Sequence, residues 1–211
     1  MKEKSPEEIF NNCALLYEEK FMNFDLYHDT FDFFCKAITK NNASVLEIGC
    51  GPGNITKYLL NKKPDLTILG IDIASTMIEL AIKNNPLANF EVMDCKNINS
   101  LTSRFDGIMC GFTLPYLNKY EAGKLIKDAS EIINDNGILY LSTMEDAYDK
   151  SKIIFSSINK NSGVFTYYHQ EKYLSETLLE NGFIIIKKTR KEYPEPKDDS
   201  KDLIIIGKKL S

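Results

Sequence analysis

The chain has few of the residues that build metal sites, disulfide frameworks and nucleic-acid surfaces. Its 211 residues include no tryptophan, two histidines and two arginines, Arg104 and Arg190. The five cysteines are scattered without a Cys-x-x-Cys pair, and three of them fall in or just after apolar segments, so we expect reduced thiols that pack as small hydrophobic side chains. His28 and His169 lie far apart and have no partner at metal-ligand spacing, so we expect no metal site.

The charge balance and the hydropathy exclude two further classes of partner. A formal net charge of −4 and a pI near 5.4 argue against a surface that holds a nucleic-acid backbone. No apolar run is long enough to cross a bilayer, and the lysine- and glutamate-rich start does not resemble a signal peptide. We therefore expect a cytoplasmic protein with a small-molecule partner, although a protein or peptide acceptor stays open, and the sequence does not predict the oligomeric state.

The chain does contain a regular alternation of apolar strands and helices. Seven strands are predicted, at residues 45–48, 66–72, 89–92, 105–110, 138–143, 183–189 and 202–208. Between the last two lies only a polar stretch with Pro194 and Pro196, so these two strands are predicted to pair as an antiparallel hairpin. The pattern predicts an α/β fold: a doubly wound, mostly parallel seven-stranded sheet with helices on both faces and an antiparallel last strand.

Helices are predicted between the strands and before them. In the core, one helix is predicted after the first strand and another from near Ser75, with a Thr76–Glu79 capping box. Two more are predicted near 120–133, stopped by Asn136 and Gly137, and near 170–181, stopped by Gly182. One domain is expected over 1–211, with an N-terminal helical lid at 1–42, an α/β core at 43–211 and a substrate-side insertion at 144–170. The lid is predicted to hold two helices, near 6–18 and 26–39, and the insertion a short apolar helix.

The first predicted core strand runs into a glycine-rich turn and then a helix. Gly49, Gly51 and Gly53 follow at alternate positions, which lets the backbone turn tightly and approach a ligand at the helix start. A dinucleotide fingerprint needs a glycine where this chain has Asn54, and Glu47 before the turn would repel a pyrophosphate. The turn therefore predicts a ligand site, and Glu47 favours a ligand with positive charge.

The next strands end in acidic residues on the side where ligands of open α/β sheets bind. Asp72 closes the second strand, where a ribose diol would be bound, although an ordinary loop carboxylate has the same pattern. Asp94 follows the third strand and is equally consistent with a turn former.

Together these segments resemble the class I S-adenosylmethionine-dependent methyltransferases over roughly residues 44–209. The turn with Glu47 resembles their first motif, Asp72 their ribose partner and Asp94 the acidic residue near the adenine amino group. The resemblance implies an enzyme of class EC 2.1.1.- that binds S-adenosylmethionine and releases S-adenosylhomocysteine. The cofactor-binding residues that it implies are Tyr17, Glu47, Gly49, Cys50, Gly51, Gly53, Asp72, Ile73, Met77, Asp94, Cys95, Cys110 and Gly111.

The resemblance also implies where the acceptor binds. In small-molecule methyltransferases an N-terminal segment commonly folds over the cofactor, and Tyr17 resembles an aromatic residue of that lid whose hydroxyl binds the cofactor carboxylate; a half-buried helix residue is the alternative. Substrate-wall candidates are Phe112, Tyr116, Tyr167 and Tyr168. The candidates for catalysis are Tyr116 and His169, since His169 has an unperturbed pKa near neutrality; the alternative is that His169 only caps the following helix.

The chemistry that the resemblance implies is direct in-line displacement, which needs little from side chains beyond holding two reactants together in a dry pocket. The loop after the fourth strand lacks the Asn-Pro-Pro-Tyr sequence of enzymes that methylate amino groups of bases. Three alternatives stay open: a noncatalytic S-adenosylmethionine-binding partner module, a nucleotide-dependent oxidoreductase, and transfer of an aminopropyl group.

Overall fold

The computed structural model describes residues 2–155, 162–193 and 200–211, so Pro194 and Pro196 lie outside the described residues. The strands found there are β1 (Lys2–Glu3), β2 (Ser44–Ile48), β3 (Thr67–Asp72), β4 (Asn89–Val92), β5 (Phe105–Cys110), β6 (Ile133–Glu145), β7 (Lys152–Phe155), β8 (Ser162–Thr166), β9 (Phe183–Lys191) and β10 (Lys201–Lys209). The α-helices found there are α1 (Pro6–Phe21), α2 (His28–Ala37), α3 (Asn54–Lys62), α4 (Ser75–Asn84), α5 (Lys119–Ile132) and α6 (Glu171–Glu180).

Seven of the strands form one sheet in the order β4-β3-β2-β5-β6-β10-β9. Strands β2 to β6 run parallel, and β10 lies antiparallel between β6 and β9. This arrangement confirms the predicted doubly wound sheet with an antiparallel last strand. The order reverses at β2, where the chain goes to β3 on one side and to β5 on the other, so a ligand crevice is expected beyond the carboxyl end of β2.

Each face of the sheet is covered by helices because the strands are apolar on both sides. In β5, Ile108 packs into the cluster that contains Leu125 of α5 and Leu178 of α6. Its neighbour Met109 points to the other face, into the cluster with Phe34 of α2 and Leu59 of α3. Successive side chains of a strand alternate between faces, so a buried parallel strand needs an apolar residue at almost every position.

The N-terminal helix α1 lies across α4 at the edge of the sheet. It begins with a capping box between Ser5 and Glu8. Asn11 on its surface accepts a hydrogen bond from the Thr76 backbone N–H at 3.0 Å and so caps α4 from outside. The predicted Thr76–Glu79 capping box is therefore wrong, because the N-cap of α4 is Ala74 and a neighbouring helix supplies the acceptor.

The described part of the insertion contains two β-strands, so the short apolar helix predicted there is wrong for Lys152–Phe155, while residues 156–161 lie outside the described residues. Strand β7 pairs antiparallel with β8, and β8 pairs in parallel with β1, in a second sheet of order β1-β8-β7. The segment Lys152–Phe155 has two β-branched isoleucines in a four-residue run, which suits a strand better than a helix. Because β1 leads directly into α1, the insertion holds the start of the lid in place.

Four smaller features complete the architecture. Helix α5 ends at Ile132, within one residue of its predicted end, and β6 begins at Ile133, so Asn136 and Gly137 lie inside the strand rather than in a turn after the helix. All five cysteines are free thiols. Among the described residues no helix is both long and apolar enough to cross a bilayer, and no three metal-ligating side chains come together.

Candidate functional site

The turn between β2 and α3 is built from glycines in the left-handed region. Gly49 and Gly51 have φ of 67° and 52°, where a β-carbon is strained. A β-carbon on Gly51 would lie 3.7 Å from the Tyr17 ring and 4.0 Å from Asn54 Oδ1, both ordinary contact distances, so the space beside this backbone is open toward the lid. A β-carbon on Gly49 would instead overlap the Thr113 hydroxyl, which donates to the Ile48 carbonyl at 3.0 Å.

Asp72 holds this turn from the end of the neighbouring strand. Its Oδ2 accepts a hydrogen bond from the Gly51 N–H and its Oδ1 one from the Ala74 N–H, both at 2.9 Å. Burial raises the pKa of the Asp72 carboxyl, and these backbone N–H groups oppose the rise. Each carboxylate oxygen has a second acceptor position left, so Asp72 can brace the turn and still accept from the two hydroxyls of a diol.

A cavity of about 280 Å³ lies over the turn, and we call it the turn cavity. Its wall includes both acidic strand ends, Asp72 and Asp94. Asp94 also accepts from the Lys96 N–H at 2.9 Å, as a residue that starts a turn does. The predicted cofactor residues that line the turn cavity are Tyr17, Gly49, Gly51, Asp72, Ile73, Met77, Asp94, Cys95 and Gly111.

Four predicted cofactor residues do not line either cavity described here. Cys50 is buried against Ile78 and Ala81 of α4. Cys110 is buried in the core under α5. Gly53 is the N-cap of α3, where Asn85 closes over it with a hydrogen bond to its carbonyl at 3.0 Å. The remaining residue, Glu47, lies below the turn.

Glu47 is buried with an exposed fraction of 1% and accepts a hydrogen bond from the Thr56 hydroxyl. Its other oxygen, Oε1, is buried without a hydrogen-bond partner among the described residues. Burial raises the pKa of the Glu47 carboxyl to about 8, the Thr56 hydrogen bond opposes this, and the charge of Asp72 adds to it. Glu47 therefore places a titratable carboxyl directly beneath the turn rather than in the cavity.

Glu47→Gln is expected to flatten the pH dependence of stability. With a pKa near 8 when folded and about 4.5 when unfolded, Glu47 keeps its proton only in the folded state between these values, so the free energy of unfolding falls as pH rises through this window. The limit is about 1.4 kcal/mol per pH unit. Denaturant unfolding of both proteins across the window tests this, and equal slopes would contradict it.

A second cavity of about 320 Å³ adjoins the first, and nine phenylalanine and tyrosine side chains line it; we call it the aromatic cavity. Helices α1 and α2 provide one side of it, through residues such as Phe21 and Phe31. The insertion provides the other side through Ile154, Val164 and Thr166.

The two cavities share a wall. Tyr17, Phe112 and Tyr116 line both of them, as do Gly49, Gly51 and Gly111. Phe112 has a φ of 54°, and its N–H donates to the Ser142 hydroxyl at 2.9 Å. This hydrogen bond holds the Phe112 ring at the shared wall, which we call the junction. The structure thus brings Tyr17, Phe112 and Tyr116 together, and burial raises the pKa of both tyrosines, of Tyr116 to about 12. They meet the junction as neutral phenols.

His169 does not face either cavity, and its proposed role as a general base is corrected. Its Nε2 lies 3.0 Å from the carbonyl oxygens of both Leu114 and Leu117, so Nε2 carries the proton and donates to them. Its Nδ1 is buried without a hydrogen-bond partner in the described part of the chain. Burial lowers the pKa of the His169 imidazole. Through its Nε2 hydrogen bonds, this side chain connects the loop after β5 to the segment before α6.

Tyr167 and Tyr168 are likewise absent from the walls of both cavities. Tyr167 stacks on Tyr148 at 6.1 Å and its N–H donates to the Pro115 carbonyl at 2.8 Å. Tyr168 is fully buried and its N–H donates to the Ser151 hydroxyl at 3.2 Å. Both rings support the insertion from behind, because the strand β8 ends at Thr166 and the chain then turns away from the aromatic cavity.

Sequence reasoning missed Asp202, the acidic residue of the aromatic cavity. It is 7% exposed, and its Oδ2 accepts a hydrogen bond from the Tyr27 hydroxyl at 2.6 Å. Burial raises the pKa of the Asp202 carboxyl, and the Tyr27 hydrogen bond opposes this. One sequence signal could have found it: Asp202 stands immediately before the apolar run of the last strand. Because that strand is antiparallel, its beginning lies at the same edge of the sheet as the carboxyl ends of the parallel strands, where the crevice is.

The comparisons with known proteins agree with this geometry. A family model described as a methyltransferase domain matches residues 45–137. An uncharacterized methyltransferase of Oceanobacillus iheyensis is 29% identical over 137 residues, which are 63% of each protein. A malonyl-[acyl-carrier protein] O-methyltransferase of Acetivibrio thermocellus is 31% identical over 107 residues, 50% of this chain and 37% of that protein. This chain thus spans between about a third and two thirds of the length of the curated relatives it matches.

Among solved structures, the magnesium protoporphyrin IX methyltransferase of Synechocystis with bound S-adenosylmethionine has a TM-score of 0.72 at 17% identity, over 96% of this chain and 94% of that one. At this identity the likeness shows the fold. It extends beyond the matched family region to both the lid and the last strands.

Proposed function

We propose that this chain, whose residues 45–137 match a methyltransferase domain, is a class I S-adenosylmethionine-dependent methyltransferase that transfers a methyl group to a small-molecule acceptor. The observation that carries the proposal is the pair of adjoining cavities: one lies over the glycine turn with two carboxylates, and the other is apolar and enclosed by the lid and the insertion. Two such cavities with a common wall fit two reactants that must meet.

The turn cavity fits the cofactor on its own chemistry. The open space beside Gly51 admits a ligand against the backbone, and the free acceptor positions of Asp72 suit a ribose diol. We assign Asp94 to the adenine end, since it lies in the same wall beside the apolar Met93 and Cys95. Tyr17 would close the other end above the turn.

The acceptor is assigned to the aromatic cavity. A volume of about 320 Å³ is at the lower end of what small-molecule sites have, and two lid helices and a strand pair surround it. This volume and the mostly apolar wall favour a free small molecule as the acceptor.

The chain's part in the reaction is positioning. S-adenosylmethionine supplies a methyl group that is already activated on a sulfonium. Phe112, Tyr116 and Tyr17 fix the junction and exclude water, so that the two reactants are held at attack distance, a contribution of about 7–11 kcal/mol. Direct in-line displacement needs no covalent nucleophile from the chain.

Label transfer tests the proposal. The protein is incubated with methyl-labelled S-adenosylmethionine and a cell extract separated into small molecules and macromolecules, with the Gly51→Val variant as the matched control. We expect label in the small-molecule fraction, from the native protein only. Label confined to the macromolecules would contradict the small-molecule assignment, and no label in either fraction, despite cofactor binding, would favour the noncatalytic alternative.

A further inference from the structure

Among the described residues that line the aromatic cavity, Asp202 is the one carboxylate, and it is buried. Among the ion pairs of the described residues none includes Asp202. Lys191, its partner in the β9–β10 register, forms an ion pair with Asp29 at 2.8 Å instead. Lys20 also lines the aromatic cavity, where its Nζ lies 5.8 Å from the centroid of the Tyr193 ring. A buried charge without a counter-charge is costly, and a cationic ligand would offset that cost.

The surroundings of Asp202 suit a cation for a second reason. Its hydrogen-bond partner Tyr27 belongs to a group of rings that all line the cavity: the Tyr27 centroid lies 5.0 Å from that of Phe112, 5.7 Å from Phe24 and 6.4 Å from Phe31. Aromatic faces attract cations, and they do so more strongly when water is excluded. A carboxylate among rings is therefore a site for an organic ammonium group.

This site is next to the place where the two cavities meet. Phe112 lines both cavities and contacts Tyr27, which contacts Asp202. A small molecule anchored at Asp202 therefore has its charged end on the side of the aromatic cavity that leads, through Tyr27 and Phe112, to the shared wall.

We propose, on the basis of the proposed methyl transfer, that the acceptor is a small aromatic or apolar amine, bound as its ammonium by Asp202 beside Tyr27 and methylated on nitrogen. The ammonium gives one proton to the Asp202 carboxylate, which later releases it to water. The freed nitrogen lone pair forms the bond to the methyl carbon as the carbon–sulfur bond breaks, and that bond's electron pair stays on sulfur. The positive charge moves from sulfur to nitrogen, and no oxidant or reductant is needed.

Calorimetry with matched probes tests the amine preference without turnover. Phenethylamine, 2-phenylethanol and phenylacetate share one ring and a two-carbon linker, and each is titrated into protein saturated with S-adenosylhomocysteine. We expect the amine to bind about 10-fold or more tightly than the alcohol, because one charge-assisted hydrogen bond is worth at least that ratio. The carboxylate is expected not to bind.

The variant Asp202→Asn keeps an acceptor for the Tyr27 hydroxyl and removes only the charge. We expect it to lose the preference for the amine, with affinity for S-adenosylhomocysteine and for 2-phenylethanol unchanged. A native protein that binds the alcohol or the carboxylate as well as the amine, or that binds no probe although S-adenosylhomocysteine binds, would overturn the inference. Failure to bind S-adenosylhomocysteine would instead overturn the proposed function, so the two are distinguishable.

Mass spectrometry of the products gives a second, independent readout. With S-adenosylmethionine and phenethylamine we expect N-methylphenethylamine, formed at least about 10-fold more slowly by Asp202→Asn at low amine concentration. The loss should appear mainly in KM for the amine. An equal rate in the two proteins would remove Asp202 from the acceptor site.

Discussion

Gly51→Val is expected to abolish binding of S-adenosylmethionine and S-adenosylhomocysteine while leaving the protein folded. At φ 52° a branched side chain costs about 1–2 kcal/mol of stability. Its β-carbon would lie 3.7 Å from the Tyr17 ring and 4.0 Å from Asn54 Oδ1, so the fold accommodates it and the side chain fills the turn cavity. We expect affinity to fall by about 100-fold or more, because the ligand loses its contact with the backbone. Calorimetry measures the affinity, and a thermal melt confirms the fold.

Gly182→Val is the matched control for that prediction. Gly182 also lies in the left-handed region, with φ 77°, and a β-carbon there would meet only the movable end of Lys209 at 2.9 Å. Gly182 precedes β9, which runs in the same direction as β6. It therefore lies where these strands begin, whereas the glycine turn lies where the parallel strands end. Similar destabilisation with unchanged cofactor affinity is expected. A Gly51→Val protein that is folded and binds normally would show that the ligand does not approach this turn.

Asp72→Ala is expected to weaken the affinity for S-adenosylhomocysteine by about 1–3 kcal/mol, or about 5- to 150-fold. Two losses combine: the ribose hydroxyls lose their acceptor, and the Gly51 N–H loses the carboxylate that holds the turn at 2.9 Å. Calorimetry checks the size of the effect. An unchanged affinity would take Asp72 out of the binding site.

Asp106→Ala is the control for the loss of a carboxylate that accepts a hydrogen bond from the backbone. Asp106 accepts from the Ser44 N–H at 3.0 Å and from Lys40 at 2.9 Å, at the amino end of β5, away from the cavities. Its removal is expected to lower the free energy of unfolding by about 1–3 kcal/mol and to leave cofactor affinity unchanged. If both variants lose affinity in proportion to their loss of stability, the effect of Asp72 is structural.

The features that the sequence predicted correctly are those set by local pattern. Strand ends at Ile48 and Asp72 are defined by buried apolar runs that stop at glycine or at a carboxylate, and neighbouring parallel strands bring such ends to one edge. The left-handed turn required glycine at Gly49 and Gly51. Each of these constraints involves only a few neighbouring residues, so a single sequence is enough to recognise it.

The features that the sequence did not predict depend on distant segments. His169 was a reasonable base by its intrinsic pKa, but its ring is held by carbonyls more than fifty positions earlier in the chain. Glu47 was expected to face the ligand, and the Thr56 hydroxyl in the next helix holds it below the turn. Asp202 reaches the aromatic cavity only because β10 inserts between β6 and β9. Side-chain direction at such places is decided by tertiary packing.

The most direct test of the central claim is calorimetry of the purified protein, freed of bound small molecules, with S-adenosylmethionine, S-adenosylhomocysteine and NADH in turn. The turn cavity, with Asp72 and an open Gly51 beside it, predicts micromolar binding of the first two at one site and no binding of NADH. Binding of NADH without S-adenosylmethionine, or of none of the three, would contradict the assignment of this cavity.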